Sequence, residues 1–349
     1  MNKRFLSALA IGALALSFGA CNKSSSANGS TTEGNWIKKA PLGGPVRGYA
    51  ASFVIDSVAY VGTGQSGNIN NANFRRLTDF WSFRAGANNG FGAWTQEGSL
   101  DKTNGRYYAV GFSIGQTGYV GGGYDDSTAS NRNDFYSYNA TTKTWTPIAS
   151  FPGIARQQAV AFTINNKAYV GTGRDINANP LGDFYQYDPS SASWTSAPSY
   201  PGDKRYGAVA FVSNNIGYVT TGYGGSGGTT NDFFAFDGTN WSQKANIANT
   251  SSETFDDNYS NIVRYNAVAF VIGGWAYLTT GNNNNTWAYN ISTDRWEVRT
   301  PYQKSTRAGA VAFTLGNYGY VGTGSASGTM TDNFSQFDPT QTYDENSDK

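Results

Sequence analysis

Residues 156–173 read RQQAVAFTINNKAYVGTG, and this stretch contains the main features of a unit that the chain repeats six times. Arg156 opens the stretch, an apolar run follows, and Tyr169 lies 13 residues after the Arg. Asn165 and Asn166 separate two apolar runs, and Asn tolerates the positive φ that a two-residue turn of type I′ requires. The stretch therefore predicts a tight β-hairpin.

The same spacing recurs along the chain from Trp36 onward. Each copy has an Arg, two turn residues, a Tyr, and a Gly four residues after the Tyr. The arginines are Arg47, Arg106, Arg156, Arg205, Arg264 and Arg307, and the glycines are Gly64, Gly123, Gly173, Gly222, Gly281 and Gly324. Five copies then continue through an aromatic segment to Trp94, Trp145, Trp194, Trp241 and Trp296.

The sixth copy lacks its Trp, and Trp36 supplies the missing strand. Trp36 lies 11 residues before Arg47, the same distance as Trp145 before Arg156. A closed ring whose last sheet takes its outer strand from the N terminus accounts for this count and protects the sheet edges. No window places apolar residues at helical spacing over three turns. We predict an all-β fold, a six-bladed β-propeller of four-stranded antiparallel blades closed by the strand around Trp36.

These repeats resemble the kelch family of β-propellers over residues 35–338. The matching features are the Arg before the first strand, the Tyr and Gly that end the second, and the late Trp. Most copies read Gly-Thr-Gly or Thr-Thr-Gly where many kelch repeats have two adjacent glycines.

Two relatives of this superfamily are enzymes. The resemblance to galactose oxidase implies a copper held by two Tyr and two His, with one Tyr cross-linked to a Cys. The chain contains no His, which excludes that site. The bacterial sialic acid mutarotase is another six-bladed kelch relative, but no motif here aligns with its site.

Composition excludes further chemistry. Without His there is no His general base, no Ser-His-Asp triad and no His-containing zinc site. The single cysteine cannot form an internal disulfide. A formal net charge of +1 gives no field that attracts a polyanion, so we expect no nucleic-acid partner. Nothing in the chain calls for a cofactor or a metal ion.

The first 21 residues resemble a bacterial lipoprotein signal, of the type found in Bacteroidota. Lys3 and Arg4 precede an apolar run of 14 residues, which is too short to span a bilayer. Small residues lead to Cys21, the predicted lipidation site, and Asn22 favours sorting to the outer membrane. We expect residues 22–34 to form a flexible tether, residues 35–338 the propeller, and residues 339–349 a C-terminal tail.

In a four-stranded blade, the loop from strand two to strand three and the link to the next blade lie on one face, here called the loop face. The copies differ most on this face, and functional residues are often placed on variable loops. The longest insertion, residues 250–260, carries Glu253, Asp256, Asp257 and Tyr259. The tyrosines on or near the loop face that suit stacking on a sugar ring are Tyr107, Tyr206, Tyr223, Tyr259 and Tyr265.

The six repeat arginines have two interpretations. They form a ring around the channel that binds an anion, or they bond loop carbonyls and the Asp that opens the third strand of a blade. The acidic residues at 125–126, 175 and 256–257 raise a calcium or glycosidase hypothesis, although solvated loops are the simpler interpretation.

The sequence thus predicts a monomeric, lipid-anchored propeller that binds a glycan or a protein partner through the loop face without catalysis. The alternative is a carbohydrate-active enzyme, such as a sugar-acid epimerase or mutarotase, that uses Arg, Tyr and carboxylates in the central cavity.

Overall fold

The computed structural model of the protein describes residues 33–67, 75–247 and 263–349. These residues form six four-stranded antiparallel sheets, which confirms the predicted six-bladed propeller. The described residues include no α-helix, and their helical turns are the two 3₁₀ turns Asn88–Gly90 and Lys102–Asn104.

Each blade runs outward from the channel in chain order, except that the fourth strand of blade 6 comes from the N-terminal side. The strands of blades 1 to 3 are Ala51–Ile55, Val58–Gly62, Phe80–Arg84 and Ala93–Gln96; Val110–Ile114, Thr117–Gly121, Phe135–Asn139 and Thr144–Ile148; Val160–Ile164, Lys167–Gly171, Phe184–Asp188 and Ser193–Ala197. Those of blades 4 to 6 are Val209–Ser213, Ile216–Thr220, Phe233–Phe236 and Trp241–Gln243; Val268–Ile272, Trp275–Thr279, Thr286–Asn290 and Arg295–Arg299; Val311–Leu315, Tyr318–Gly322, Phe334–Asp338 and Asn35–Lys39.

The ring closes where the sequence predicts. Asn35–Lys39 pairs antiparallel with Phe334–Asp338, and Trp36 lies opposite Phe337. The indole of Trp36 is fully buried, and its N–H donates to the carbonyl of Thr300 at 3.0 Å. The other blades repeat this inter-blade bond, as in Trp145, which donates to the carbonyl of Gly98 at 2.7 Å.

The hairpins between first and second strands lie where the turn pairs predict them. Both turn residues have positive φ in three blades, at Asn165 and Asn166 for example. In the other three blades only the first turn residue has positive φ, as at Asp56. The type I′ prediction therefore holds for half of the hairpins.

Four pairs of short two-residue strands lie in the described connections of the loop face. The pairs are Gln65–Ser66 with Arg75–Arg76, Tyr124–Asp125 with Ser130–Asn131, Arg205–Tyr206 with Tyr223–Gly224, and Ser325–Ala326 with Thr329–Met330. Residues 339–349 pack against blade 6, where the carbonyl of Ser347 accepts from the N–H of Lys38 at 3.0 Å. Asp348 is buried and accepts from the hydroxyl of Ser335 at 2.9 Å.

Two closed rings of backbone hydrogen bonds join the blades on the loop face. In the inner ring, the second residue after each repeat Arg donates its N–H to the carbonyl of its counterpart in the preceding blade, with N to O distances from 2.7 to 3.1 Å. All six have positive φ and are Tyr49, Tyr108, Gln158, Gly207, Asn266 and Gly309. In the outer ring, each repeat Gly donates to the carbonyl of the next repeat Arg, as from Gly123 to Arg156 at 2.9 Å. The inner ring surrounds the loop-face end of the channel, here called the mouth.

Candidate functional site

The six repeat arginines lie inside the blades and not on the channel wall. Arg156 donates to the carbonyl of Thr172 at 3.0 Å and makes a two-pronged bond to Asp183, with both distances 2.7 Å. All six side chains are buried, and each donates to the carbonyl just before its repeat Gly. These bonds agree with the second interpretation of the repeat arginines, in which they bond loop carbonyls and the Asp of the third strand. We therefore assign no anionic ligand to them.

The acceptor at the start of the third strand varies as the sequence indicates. Asp79, Asp134, Asp183 and Asp232 form the ion pairs of blades 1 to 4. In blade 5, Arg264 donates to the carbonyl of Asn285 at 2.8 Å, and in blade 6, Arg307 donates to the amide oxygen of Asn333 at 2.6 Å.

In five blades, the residue whose carbonyl accepts the hydrogen bond from the repeat Arg is a threonine with positive φ. β-branched residues rarely adopt this conformation. It turns the carbonyl toward the guanidinium, and the bond to a buried charge offsets the strain. Blade 2 has Gly122 here, and the threonines are Thr63, Thr172, Thr221, Thr280 and Thr323.

The channel is narrow and lined by small apolar residues. Its loop-face half encloses about 240 Å³ and is surrounded by Ala, Val, Ser and Gly residues, such as Ala50, Ser52 and Ala210. The half toward the opposite face encloses about 620 Å³ and adds Phe, Thr and Asn. The residues that line these two cavities include no Arg, no Tyr and no carboxylate, which are the groups that the enzyme hypothesis requires in the central cavity.

A more polar cavity lies at the mouth, between blades 1, 2 and 3. This mouth pocket has a volume of about 510 Å³, which lies within the usual range for small-ligand sites. Its walls combine aromatic, amide and charged side chains. The lining residues are Tyr49, Gln65, Tyr107, Tyr108, Tyr124, Gln157, Arg174, Asp175, Ile176 and Ala178.

Seven tyrosines on the loop face form two groups. In the first group, the ring centroids of Tyr49 and Tyr108 are 4.4 Å apart, and Tyr107 lies 5.2 Å from Tyr108 and 5.4 Å from Tyr124. In the second group, Tyr206 lies 5.4 Å from Tyr223, and Tyr223 lies 6.0 Å from Tyr265. Four of the predicted tyrosines, Tyr107, Tyr206, Tyr223 and Tyr265, therefore belong to these groups.

Burial raises the pKa values of four of these tyrosines. Burial, followed by the charge of Asp126, raises the pKa of Tyr107 to about 12. Burial and the neighbouring Tyr49 raise the pKa of Tyr108 above its ordinary value, and burial also raises the pKa values of Tyr49 and Tyr206. At neutral pH these four tyrosines offer ring faces and hydroxyl groups, and they carry no negative charge.

The acidic loops differ from the solvated loops expected from sequence. Asp125 is fully buried, lies 3.0 Å from the Nε of Arg76 and forms a further ion pair with Arg132. Asp126 lies 3.2 Å from Arg76, so this pair joins the loops of blades 1 and 2. The solvated-loop interpretation is therefore wrong for Asp125, because two arginines replace its hydration.

Asp175 caps its own loop. It accepts the N–H groups of Asn177 and Asn179 at 2.9 and 2.8 Å and the side-chain amide of Asn179 at 2.8 Å. The amide of Asn179 and these backbone bonds lower the pKa of Asp175 below its ordinary value. Its carboxylate is thus held ionised and engaged.

Several predicted residues lie outside the described part of the chain. They are Cys21, Glu253, Asp256, Asp257 and Tyr259. Within residues 33–67, 75–247 and 263–349, no three His, Cys, Asp or Glu side chains group as metal ligands. The same ranges contain no helix that is long and apolar enough to cross a membrane.

Sequence reasoning missed part of the mouth. Tyr49, Tyr108, Gln157 and Gln158 follow the repeat arginines by one or two residues, and Tyr124 and Arg174 follow the repeat glycines by one. The backbone pairs Tyr107 with Tyr124 and Gln157 with Arg174. The positions directly after each repeat Arg and Gly therefore meet on the loop face, and the repeat register alone contains that signal.

No family model matches the chain, and no curated protein matches it in sequence. Among solved structures, that of YjhT, a β-propeller, aligns with a TM-score of 0.69 and 16% sequence identity. The alignment covers 85% of this chain and 95% of the YjhT chain. Similarity at this level of identity extends to the fold alone. The chain is a six-bladed β-propeller that shares its fold with YjhT.

Proposed function

We propose that this protein is a kelch-type, non-catalytic propeller that binds a glycan through its loop face. The observation that carries the proposal is the mouth pocket, which the first tyrosine group lines, above a channel of small apolar side chains. The second tyrosine group adds aromatic rings on the same face, where Tyr206 lies against Arg174 of the pocket. Sugar rings present C–H faces that pack on aromatic rings and hydroxyls that bond amides and phenols. The carboxylate in the pocket, Asp175, is engaged by its own loop, which favours binding over acid–base catalysis.

A glycan screen tests the proposal. Purified protein is heated with a library of neutral and acidic mono- and oligosaccharides, and hits are quantified by titration calorimetry. A ligand at 100 times its Kd adds about 2.7 kcal/mol to the free energy of unfolding, which is readily detected as a rise in Tm. We expect Tyr107→Ala and Tyr206→Ala to weaken a hit at least about tenfold, because each removes one ring face.

Tyr318→Ala is the matched control. Tyr318 is 38% exposed beside the hairpin of blade 6, on the face opposite the loop face. It should leave Kd unchanged. Equal Kd values for all three variants would place the ligand elsewhere, and a screen without hits would leave a protein as the partner.

We also propose that Cys21 is lipidated and that the tether of residues 22–34 holds the propeller at the outer membrane. The support is the signal-like sequence of residues 1–21, in which a lone cysteine follows an apolar run. Labelled palmitate should enter the protein made in a bacterial host, and Cys21→Ser should abolish labelling and release the protein into the soluble fraction. Labelling that persists in the serine variant would contradict lipidation at this residue.

A further inference from the structure

One cation of the mouth pocket has a guanidinium with no hydrogen-bond or ion-pair partner among the described residues. Arg174 follows Gly173 and lines the pocket beside Tyr107 and Gln157. Its Nε is buried without a hydrogen-bond acceptor, and no described carboxylate forms an ion pair with its guanidinium. The six repeat arginines differ from it, because each donates to a backbone carbonyl.

The guanidinium is nonetheless held in place. Its Cζ lies 4.9 Å from the ring centroid of Tyr206, a cation–π arrangement. The backbone of Arg174 exchanges two hydrogen bonds with Gln157, at 3.0 and 3.1 Å. An immobilised donor loses little conformational entropy when a ligand binds, so this side chain is prepared for an acceptor.

Asp175 is ionised and lines the same pocket, but it forms no ion pair with this guanidinium. Its two carboxylate oxygens accept three hydrogen bonds from Asn177 and Asn179. The phenols around Arg174 are neutral, since burial raises the pKa values of Tyr107 and Tyr206. The guanidinium of Arg174 therefore remains open to an anionic group with two acceptor oxygens.

Arg174 also stands between the two tyrosine groups. It belongs to blade 3, whereas the group that contains Tyr107 extends over blades 1 and 2 and the group that contains Tyr206 over blades 4 and 5. A ligand that places an anion on Arg174 thus has aromatic faces on either side of it. That geometry suits a chain of sugar rings better than a single ring.

We infer that the loop face binds an acidic oligosaccharide whose carboxylate pairs with Arg174 while the neighbouring sugar rings pack on the two tyrosine groups. The inference rests on the proposed glycan-binding function and names its ligand class. A peptide partner that adds a strand is less favoured, because the short strands on this face already have partners within their own blades. In blade 2, Tyr124–Asp125 pairs with Ser130–Asn131, and in blade 4, Arg205–Tyr206 pairs with Tyr223–Gly224.

Calorimetry on the whole protein tests the inference. The acidic probes are tetramers of galacturonate, mannuronate and guluronate and a hyaluronan fragment. The comparison probes are the methyl ester of each, free galacturonic acid, a sulfated oligosaccharide and a hexaglutamate peptide. We expect at least one acidic oligosaccharide to bind, its methyl ester to bind at least about tenfold more weakly, and the free monosaccharide to bind more weakly than the oligomer. Binding should also weaken as salt screens the ion pair.

Three variants assign the effect to the guanidinium. Arg174→Gln should weaken binding of the acidic oligosaccharide at least about tenfold, and Arg174→Lys should lose less, because it retains the charge without the planar fork. Arg84→Gln removes an exposed charge at the opposite end of blade 1 and should leave Kd unchanged. Each variant is compared with the parent by Tm to confirm that it folds.

The outcomes separate the inference from the proposed function. Equal binding of ester and acid, or unchanged binding by Arg174→Gln, overturns the inference while glycan binding stands. Binding of a sulfated oligosaccharide alone, with loss in Arg174→Gln, overturns the carboxylate assignment and identifies a sulfate ester as the anion. If no saccharide binds and a hexaglutamate peptide does, both the inference and the glycan proposal fail.

Discussion

At the residue scale, the repeat arginine organises each blade. The guanidinium of Arg106 bonds the carbonyl of Gly122 and both oxygens of Asp134, while its own backbone carbonyl accepts the N–H of Gly64 from blade 1. One residue thus joins the strands of its own blade and links two blades. A lysine would keep the charge but lacks the planar, multi-donor head that these bonds need.

The Asp partner of this arginine gives a pH-dependent prediction. Asp134→Asn should lower the free energy of unfolding by about 1–3 kcal/mol at pH 7, because Arg106 loses a charge-assisted bond. Asn remains an acceptor, as Asn333 shows in blade 6 with Arg307, so the variant should fold.

The pH dependence follows from the pKa of Asp134. Burial alone would raise this pKa, but the bond to Arg106 and its charge outweigh burial, so the pKa lies below the ordinary 3.8. The stability that this carboxylate contributes is present above that ordinary value and is lost as the pH falls through the lowered pKa. Urea unfolding at pH 7 and pH 3 should show a smaller loss for Asp134→Asn than for the parent. Parallel losses would contradict this role for Asp134.

The sequence predicts some residue roles and not others. The constant offset from Arg to Gly is visible in the sequence because all six copies share one backbone geometry. Threonine at positive φ is not predictable from local preference, since the bond from the buried Arg overrides that preference at Thr172. The unpaired state of Arg174 depends on which side chains surround it in space. No spacing rule contains that information.

At the element scale, the closing strand is the most consequential single element. Asn35–Lys39 completes blade 6, and the Trp36 ring packs against Tyr302 and Phe337, each with a centroid distance of 4.9 Å. The count of late tryptophans predicted this strand because one copy had none and one Trp was left over. The way residues 339–349 pack on the same blade had no repeat partner to predict it.

Truncating Trp36 should therefore weaken the closure of the ring. Trp36→Ala is expected to lower the free energy of unfolding by about 3–5 kcal/mol, because it empties a fully buried site and removes an inter-blade hydrogen bond. Trp194→Ala is the matched control, since Trp194 has the same place in blade 3 but is only partly buried. Chemical unfolding measures both. A loss for Trp36→Ala no larger than for Trp194→Ala would show that the closing strand has no special weight.

At the scale of the whole molecule, the site and the channel are separate features. Sixfold repetition brings small first-strand residues together around the axis, so the channel is a consequence of ring closure. The differences between blades lie above it. Aromatic residues directly follow the repeat Arg or Gly in blades 2, 4 and 5, whereas small or polar residues directly follow them in blades 1 and 6. The inner hydrogen-bond ring lies between these regions and keeps the mouth in register with the blades.

A bulky residue in the channel distinguishes a site at the mouth from one in the central cavity. Ala210 lines both channel cavities on the first strand of blade 4, and Ala210→Leu would place three additional carbons in the loop-face half. We expect the larger side chain to lower the free energy of unfolding by about 1–3 kcal/mol through strained packing. The Kd for the glycan should not change, because the mouth pocket has its own walls. The enzyme hypothesis requires the substrate to enter the channel and so predicts that Ala210→Leu abolishes binding. Calorimetry measures the Kd of both variants, Ala210→Leu and Tyr107→Ala, for one ligand. A site at the mouth is weakened by Tyr107→Ala alone, whereas a site in the channel is weakened by Ala210→Leu.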